Sequence, residues 1–259
     1  MLISDLFTLF FLGLVSFVSN FISALAGGGA GLLQLPALLF FGLPFSKALA
    51  THKIASVALG LGASIPHSKS NNLQKKIIFL ILISGVPGVI IGANVASLLP
   101  STFSTILLGL LTLFLCVYSV SNKKLGNSNN VKKIGNLKIC IGCLGLFIIG
   151  FLNGYLSSGT GLFVTLWLIT IFNLSFSAAI AHTLILVGIV WNGIGAISLG
   201  LSGNIVWNYI PILILASLLG GYFGAYFSII KGSKFIKLVF EIVSLSVGIS
   251  LLIKAFFDL

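Results

Sequence analysis

Apolar residues occur along this chain in long blocks, separated by short polar or glycine-rich gaps, instead of alternating or marking one face of an element. A bilayer core about 30 Å thick takes about 20 apolar residues as one helix. On that measure the first half holds five segments, roughly 5–26, 32–41, 46–65, 76–98 and 101–120. A polar gap follows at 121–136, reading SNKKLGNSNNVKKIGN, and is the one clearly solvated linker. Five more segments run roughly over 137–156, 162–172, 175–199, 205–229 and 235–256. The second and seventh are too short to cross comfortably. The pattern predicts an all-α polytopic membrane protein of about ten segments, with one unit over 1–120, a linker over 121–136 and a second unit over 137–259. The first run carries Asp5 and no basic stretch before it, so it is expected to stay as a helix and not leave as a signal peptide.

Composition agrees. Apolar residues make up 58% of the chain and charged residues 7%, with a mean hydropathy of +1.22. A soluble domain carries about 25% charged residues to face water. That excludes a soluble enzyme, a nucleic-acid-binding domain and a disordered module. The net charge of +11 does not reopen nucleic acid as a partner: the basic side chains are lysines in the gaps, without the arginine forks suited to phosphate or base readout. Those lysines report orientation instead. With ten crossings they divide 11 to 2, with Lys53 inside a segment, and with two re-entrant segments they divide 9 to 4. The positive-inside rule favours ten crossings of the plasma (inner) membrane, both ends outside and the linker in the cytoplasm. Cys116, Cys140 and Cys143 lie in apolar stretches with no partner ligands at metal spacing, so no metal or cofactor is expected.

The two halves repeat each other. Phe21-Ile-Ser-Ala-Leu-Ala-Gly-Gly-Gly-Ala-Gly31 aligns with Phe151-Leu-Asn-Gly-Tyr-Leu-Ser-Ser-Gly-Thr-Gly161 at an offset of 130. The Ala48–His52 stretch aligns with Ala179–Thr183 at 131, and Gly88/Gly92 align with Gly220/Gly224 at 132. An odd number of crossings per copy makes the copies inverted, the usual scaffold of secondary transporters with substrate held between repeats. Each glycine island lies between a long segment and a short one. A helix broken there offers free N–H groups and a positive dipole end to an anion. That reading makes Gly28, Gly29, Gly31, Gly159 and Gly161 candidate substrate contacts; the alternative is that they only permit tight turns. Gly88/Gly92 and Gly220/Gly224 read as small-xxx-small helix packing.

The stretch AGGGAGLLQLPALLFFGLPFSKALATHK, with GFLNGYLSSGTG and AHT in the second half, resembles the TauE/SafE family of membrane permeases. The resemblance covers nearly the whole chain. It implies export or uptake of sulfite, sulfonates and related small sulfur-containing anions.

Side chains that carry chemistry are few. The only carboxylates are Asp5, Glu241 and Asp258, so cation transport as the main activity is disfavoured and an anionic substrate fits better. Lys53 lies well inside a segment and needs either an anion or a return to the interface along its stem, whereas Lys47 is nearer the edge. Thr51-His52 and His182-Thr183 are reversed pairs at matched positions; either histidine offers proton coupling or a simple hydrogen bond within the bundle. His67, in Pro66-His67-Ser68-Lys69, is expected to be solvated. Gln34, Asn153, Ser157, Ser158 and Thr160 are candidate neutral donors, with Asn192 a weaker one. No Ser/His/Asp grouping, HExxH or paired carboxylates points to an enzyme. The expected protein is a secondary permease for a small anion, working by alternating access; an anion channel or a non-transporting subunit are the alternatives. Its partners are the substrate and the lipid bilayer, and a homodimer stays open.

Overall fold

The computed structural model describes residues 2–68, 73–96, 101–122 and 135–257. Most of the linker, including Lys123, Lys124, Lys132 and Lys133, lies outside these, as do Lys69 and Asp258. Among the described residues every regular element is helical. In the first half α1 spans Leu2–Ala26, α2 Gly31–Phe40, α3 Phe45–Ser68, α4 Lys75–Val95 and α5 Ser101–Ser121. In the second, α6 spans Asn136–Leu156, α7 Thr160–Phe172, α8 Phe176–Gly200 and α9 Ile210–Phe257. Among the described residues, six stretches, in α1, α3, α4, α6, α8 and α9, are long and apolar enough to cross a membrane. The chain is a multi-pass integral membrane protein.

The break expected between the ninth and tenth segments falls at Gly232, whose φ of 74° and ψ of 177° are not helical, so that α9 comprises two helices, 210–231 and 233–257. A glycine without a Cβ reaches that conformation readily, so no longer connection is needed. His67 is not solvated. Against that expectation, α3 continues through Pro66, in its last turn, to Ser68 and carries His67 to 1% exposure.

Helices in a bilayer gain nothing from apolar burial alone and pack closely through small residues. A Cβ on Gly88 would strike the Phe147 carbonyl and one on Gly92 the Phe151 carbonyl, so α4 lies directly on α6. Gly220 meets the Phe17 carbonyl and Gly224 the Phe21 carbonyl in the same way, placing the 210–231 arm of α9 on α1. The expected packing role of both glycine pairs is what the structure shows. In each pair, a helix of one half rests on a helix of the other.

The short helices fold back along their predecessors. Gln34 of α2 donates to Ser16 of α1 (2.7 Å), and Phe41, just past α2, stacks edge-on with Phe11 (ring centroids 5.8 Å apart). Likewise the Trp167 indole of α7 donates to the Gly142 carbonyl of α6 (3.1 Å). Both bends lie at the glycine islands, and the bends touch. A Cβ on Gly28 would come within 2.6 Å of Gly161 Cα.

Candidate substrate-binding site

Backbone conformation explains the first island. Gly27, Gly28 and Gly29 have φ of +84°, +148° and +100°, a run that residues with a Cβ rarely adopt. The Ser23 carbonyl accepts from both the Gly27 and Gly28 N–H (2.8 Å each), which closes the end of α1. The second island reverses at Ser157 (φ 61°) and Gly159 (φ 75°), with the Ser157 N–H on the Asn153 carbonyl (2.9 Å). Side chains then join the two. Thr165 Oγ1 donates to the Gly27 carbonyl (2.8 Å), and Ser158 Oγ donates to the Gly31 carbonyl (3.0 Å).

Two helices begin at this joint, α2 at Gly31 and α7 at Thr160. The leading N–H groups of a helix have no partner within it, and its N-terminal end carries a partial positive charge. A small cavity of about 40 Å³ lies between the two starts. Gly28, Gly29 and Gly31 form one wall; Ser157, Thr160 and Gly161 form the facing one. His52 of α3, Asn153 of α6 and Thr183 of α8 close the sides. Thr183 opens a stretch of α8, Thr183–Trp191, with π-type hydrogen bonding, which brings Gly188 against Gly60 of α3. Such wide turns recur at functional sites.

Lys53 stands directly behind this cavity and is fully buried. Its ammonium donates to the Asn153 carbonyl (2.8 Å), with Asn153 Oδ1 and Asn192 Oδ1 each at 3.4 Å. Its stem crosses Gly195, where a Cβ would approach the Lys53 chain to 2.9 Å. It does not return to the interface. It adds positive field to the cavity through two asparagines that themselves form the wall. Asn153 is held further by its Nδ2 donating to Thr160 Oγ1 (2.9 Å).

His52 faces the cavity at the end of a polar chain. Its Nδ1 pairs with Gln34 Oε1 (2.6 Å), Gln34 Nε2 donates to Ser16 Oγ, and Ser16 Oγ lies 2.9 Å from Ser217 Oγ. Its Nε2 meets Ser56 Oγ (3.2 Å). Gln34 therefore orients His52 and is itself one layer behind the cavity.

The remaining sequence candidates lie elsewhere. His182 donates from Nδ1 to the Ala178 carbonyl (2.8 Å) and accepts the Gln74 N–H at Nε2 (2.9 Å), capping the approach to α4. Thr51 Oγ1 accepts the Val206 N–H (3.1 Å) and so ties α3 to the segment before α9. Gly159 packs beside Leu32, 3.7 Å from where its Cβ would stand, and Ser158 faces a neighbouring, larger cavity. Glu241 is away from the joint, accepting from Ser119 Oγ (2.9 Å) and 3.8 Å from Lys237 Nζ.

Three wall residues with polar side chains escaped the sequence candidates in whole or part: Ser23, Ser56 and Asn192. Ser23 is the most telling, because the residue is 1% exposed, borders the cavity and its hydroxyl has no hydrogen-bond partner among the described residues. The repeat already held the signal, since Ser23 matches Asn153 at the offset of 130. Matched positions Ala30/Thr160, Gly31/Gly161, His52/Thr183 and Ser56/Val187 also all border this one cavity.

A family model described as "Sulfite exporter TauE/SafE" matches residues 12–251. Among curated relatives, a "Probable membrane transporter protein" of Haemophilus influenzae is 29% identical over 230 residues, covering 89% of each chain. "Probable membrane transporter protein ORF9" of a Sinorhizobium species is 27% identical over 243 residues, 93% of this chain and 91% of its own. "Probable membrane transporter protein YfcA" of Escherichia coli K12 is 27% identical over 242 residues, 92% of this chain and 87% of its own. No solved structure is significantly similar to the chain.

Proposed function

Since the chain belongs to the TauE/SafE family of membrane transporters, we propose that it is a secondary transporter of small sulfur-containing anions, such as sulfite or organosulfonates, that binds its substrate where the two glycine islands meet. One observation carries this reading: two helix N-termini from different halves of the chain converge on a cavity backed by a buried lysine. The two helix starts and the buried ammonium favour an anion. The family description, as a sulfite exporter, supplies the sulfur-containing class.

The ten-segment inverted repeat is part of the proposal. It is supported by the five matched pairs around the cavity and by the matched glycine contacts of α4 on α6 and α9 on α1. Rocking one half against the other about these contacts would expose the cavity to each side in turn. Cysteines introduced at Asn129 and at Leu259, in a background without other cysteines, test the orientation. Impermeant reagents should label the first only from the cytoplasmic side and the second only from outside. Labelling of both from one side would remove the odd crossing number on which inversion depends.

Uptake of labelled sulfite, sulfate and short sulfonates into proteoliposomes tests the transport reading itself. Flux of at least one sulfur anion should saturate with concentration and stay at carrier rates. Flux that rises without limit at channel rates would favour an anion channel.

A further inference from the structure

We infer that a second cavity beside the glycine joint is a subsite for the aliphatic part of an organic anion, so that this chain prefers short alkanesulfonates to inorganic oxyanions. The inference rests on the anion reading above and extends it. This cavity measures about 290 Å³, against about 40 Å³ at the joint, and the two share Gly29 and Gly31 as a common wall. Ser158 of the other island also borders it, so both islands open onto it.

Its lining divides into two. Ile22, Leu32, Leu33, Leu35 and Leu156 give a hydrocarbon wall on one side. On the other, Ser246, Ser250 and Lys254 of α9 stand four residues apart, which places them on one helix stripe. Lys254, toward the end of α9, puts a cation on that stripe, the sign that draws anions inward. An inorganic oxyanion fits the smaller cavity and gains nothing from a carbon-lined space several times larger. An alkyl chain attached to a sulfonate held at the joint would leave water for that space. Each buried methylene should then tighten binding about fourfold. Leu33 and Ile242 are 48% and 56% exposed, so the cavity also opens sideways, and a lipid chain is the competing occupant.

The test is calorimetric titration of the full-length protein in lipid nanodiscs with sulfite, methanesulfonate and butanesulfonate. Butanesulfonate should bind more than tenfold tighter than methanesulfonate. Ser250→Phe, at an exposed position, should fill the space and remove that difference while leaving methanesulfonate affinity unchanged. Leu33→Ala, also lipid-accessible, should reduce the gain per methylene if the first variant fails to fold. Equal affinity for the two sulfonates in the wild-type protein would overturn the subsite and assign the space to lipid, with the anion reading intact. Absence of binding by all three anions would overturn both.

Discussion

Lys53→Gln is expected to weaken anion binding at least tenfold while leaving the protein as stable as before, or more so. The ammonium is fully buried and its contacts are a carbonyl and two amide oxygens, all neutral. A buried charge balanced only by dipoles is costly, and removing it relieves the fold. An anion at the joint supplies the missing counter-charge across the two asparagines, and opposite charges about 8 Å apart at an effective dielectric constant of about 20 attract by about 2 kcal/mol, hence the tenfold or greater loss. Lys47, exposed at the start of α3, is the control, and Lys47→Gln should bind as wild type. The Lys53 effect should persist at high salt, because buried pairs are poorly screened. Thermal unfolding supplies the second readout. Saturating anion should raise the Tm of the wild type and move that of Lys53→Gln much less. Wild-type affinity in Lys53→Gln would leave the helix ends alone to hold the anion.

The second large effect concerns the contact between the islands. Gly28→Ala places a Cβ 2.6 Å from Gly161 Cα and 2.6 Å from the Leu162 nitrogen, both backbone atoms that cannot rotate away, at a φ of +148°. Overpacking costs about 1–3 kcal/mol, and strain adds to it, so the Tm should fall by roughly 5–10 °C and transport should be lost. Gly161→Ala is the cleaner probe of function, because its φ is ordinary and the nearest obstacle is Gly28 Cα at 2.9 Å. It should keep most of its stability and still transport poorly, since the two helix starts are pushed apart. Gly42→Ala controls for strain alone: φ is +81° and nothing lies within 4 Å. Wild-type transport by Gly161→Ala would mean that the joint has slack and that its closeness is incidental. Gly29, with φ of +100°, serves the fold as well as the cavity, so bulk there disturbs both, whereas Gly159, with φ of +75°, serves the fold.

Much of this was legible in the sequence, for identifiable reasons. Apolar block lengths located the helices, because a bilayer dictates how long each must be, and the broken stretches at Gly27–Gly29 and Ser157–Gly159 followed from residues that only bends require. The self-alignment paired island with island. Facing was not legible. In a chain where lipid and protein interior are equally apolar, the pattern does not say which side of a helix looks inward. His52 and His182 occupy near-equivalent positions in their halves, yet one borders the cavity and the other caps α4. Ser23 was hidden for the same reason, one hydroxyl among several on α1. The depth of Lys53 was visible, but its choice between the interface and Asn153 was not, because that depends on the room left by Gly195 across the helix pair.

The central claim is that an anion is held between the two helix starts. Selenite has the charge and shape of sulfite and scatters X-rays anomalously, so its position can be read without assumption about contacts. Crystals of the wild-type protein grown with selenite should show an anomalous peak in the cavity bordered by Ser23, Asn153 and Gly161, and crystals of Lys53→Gln under the same conditions should lose it. A selenium peak at any other place in the wild-type protein, with this cavity empty, would contradict the account.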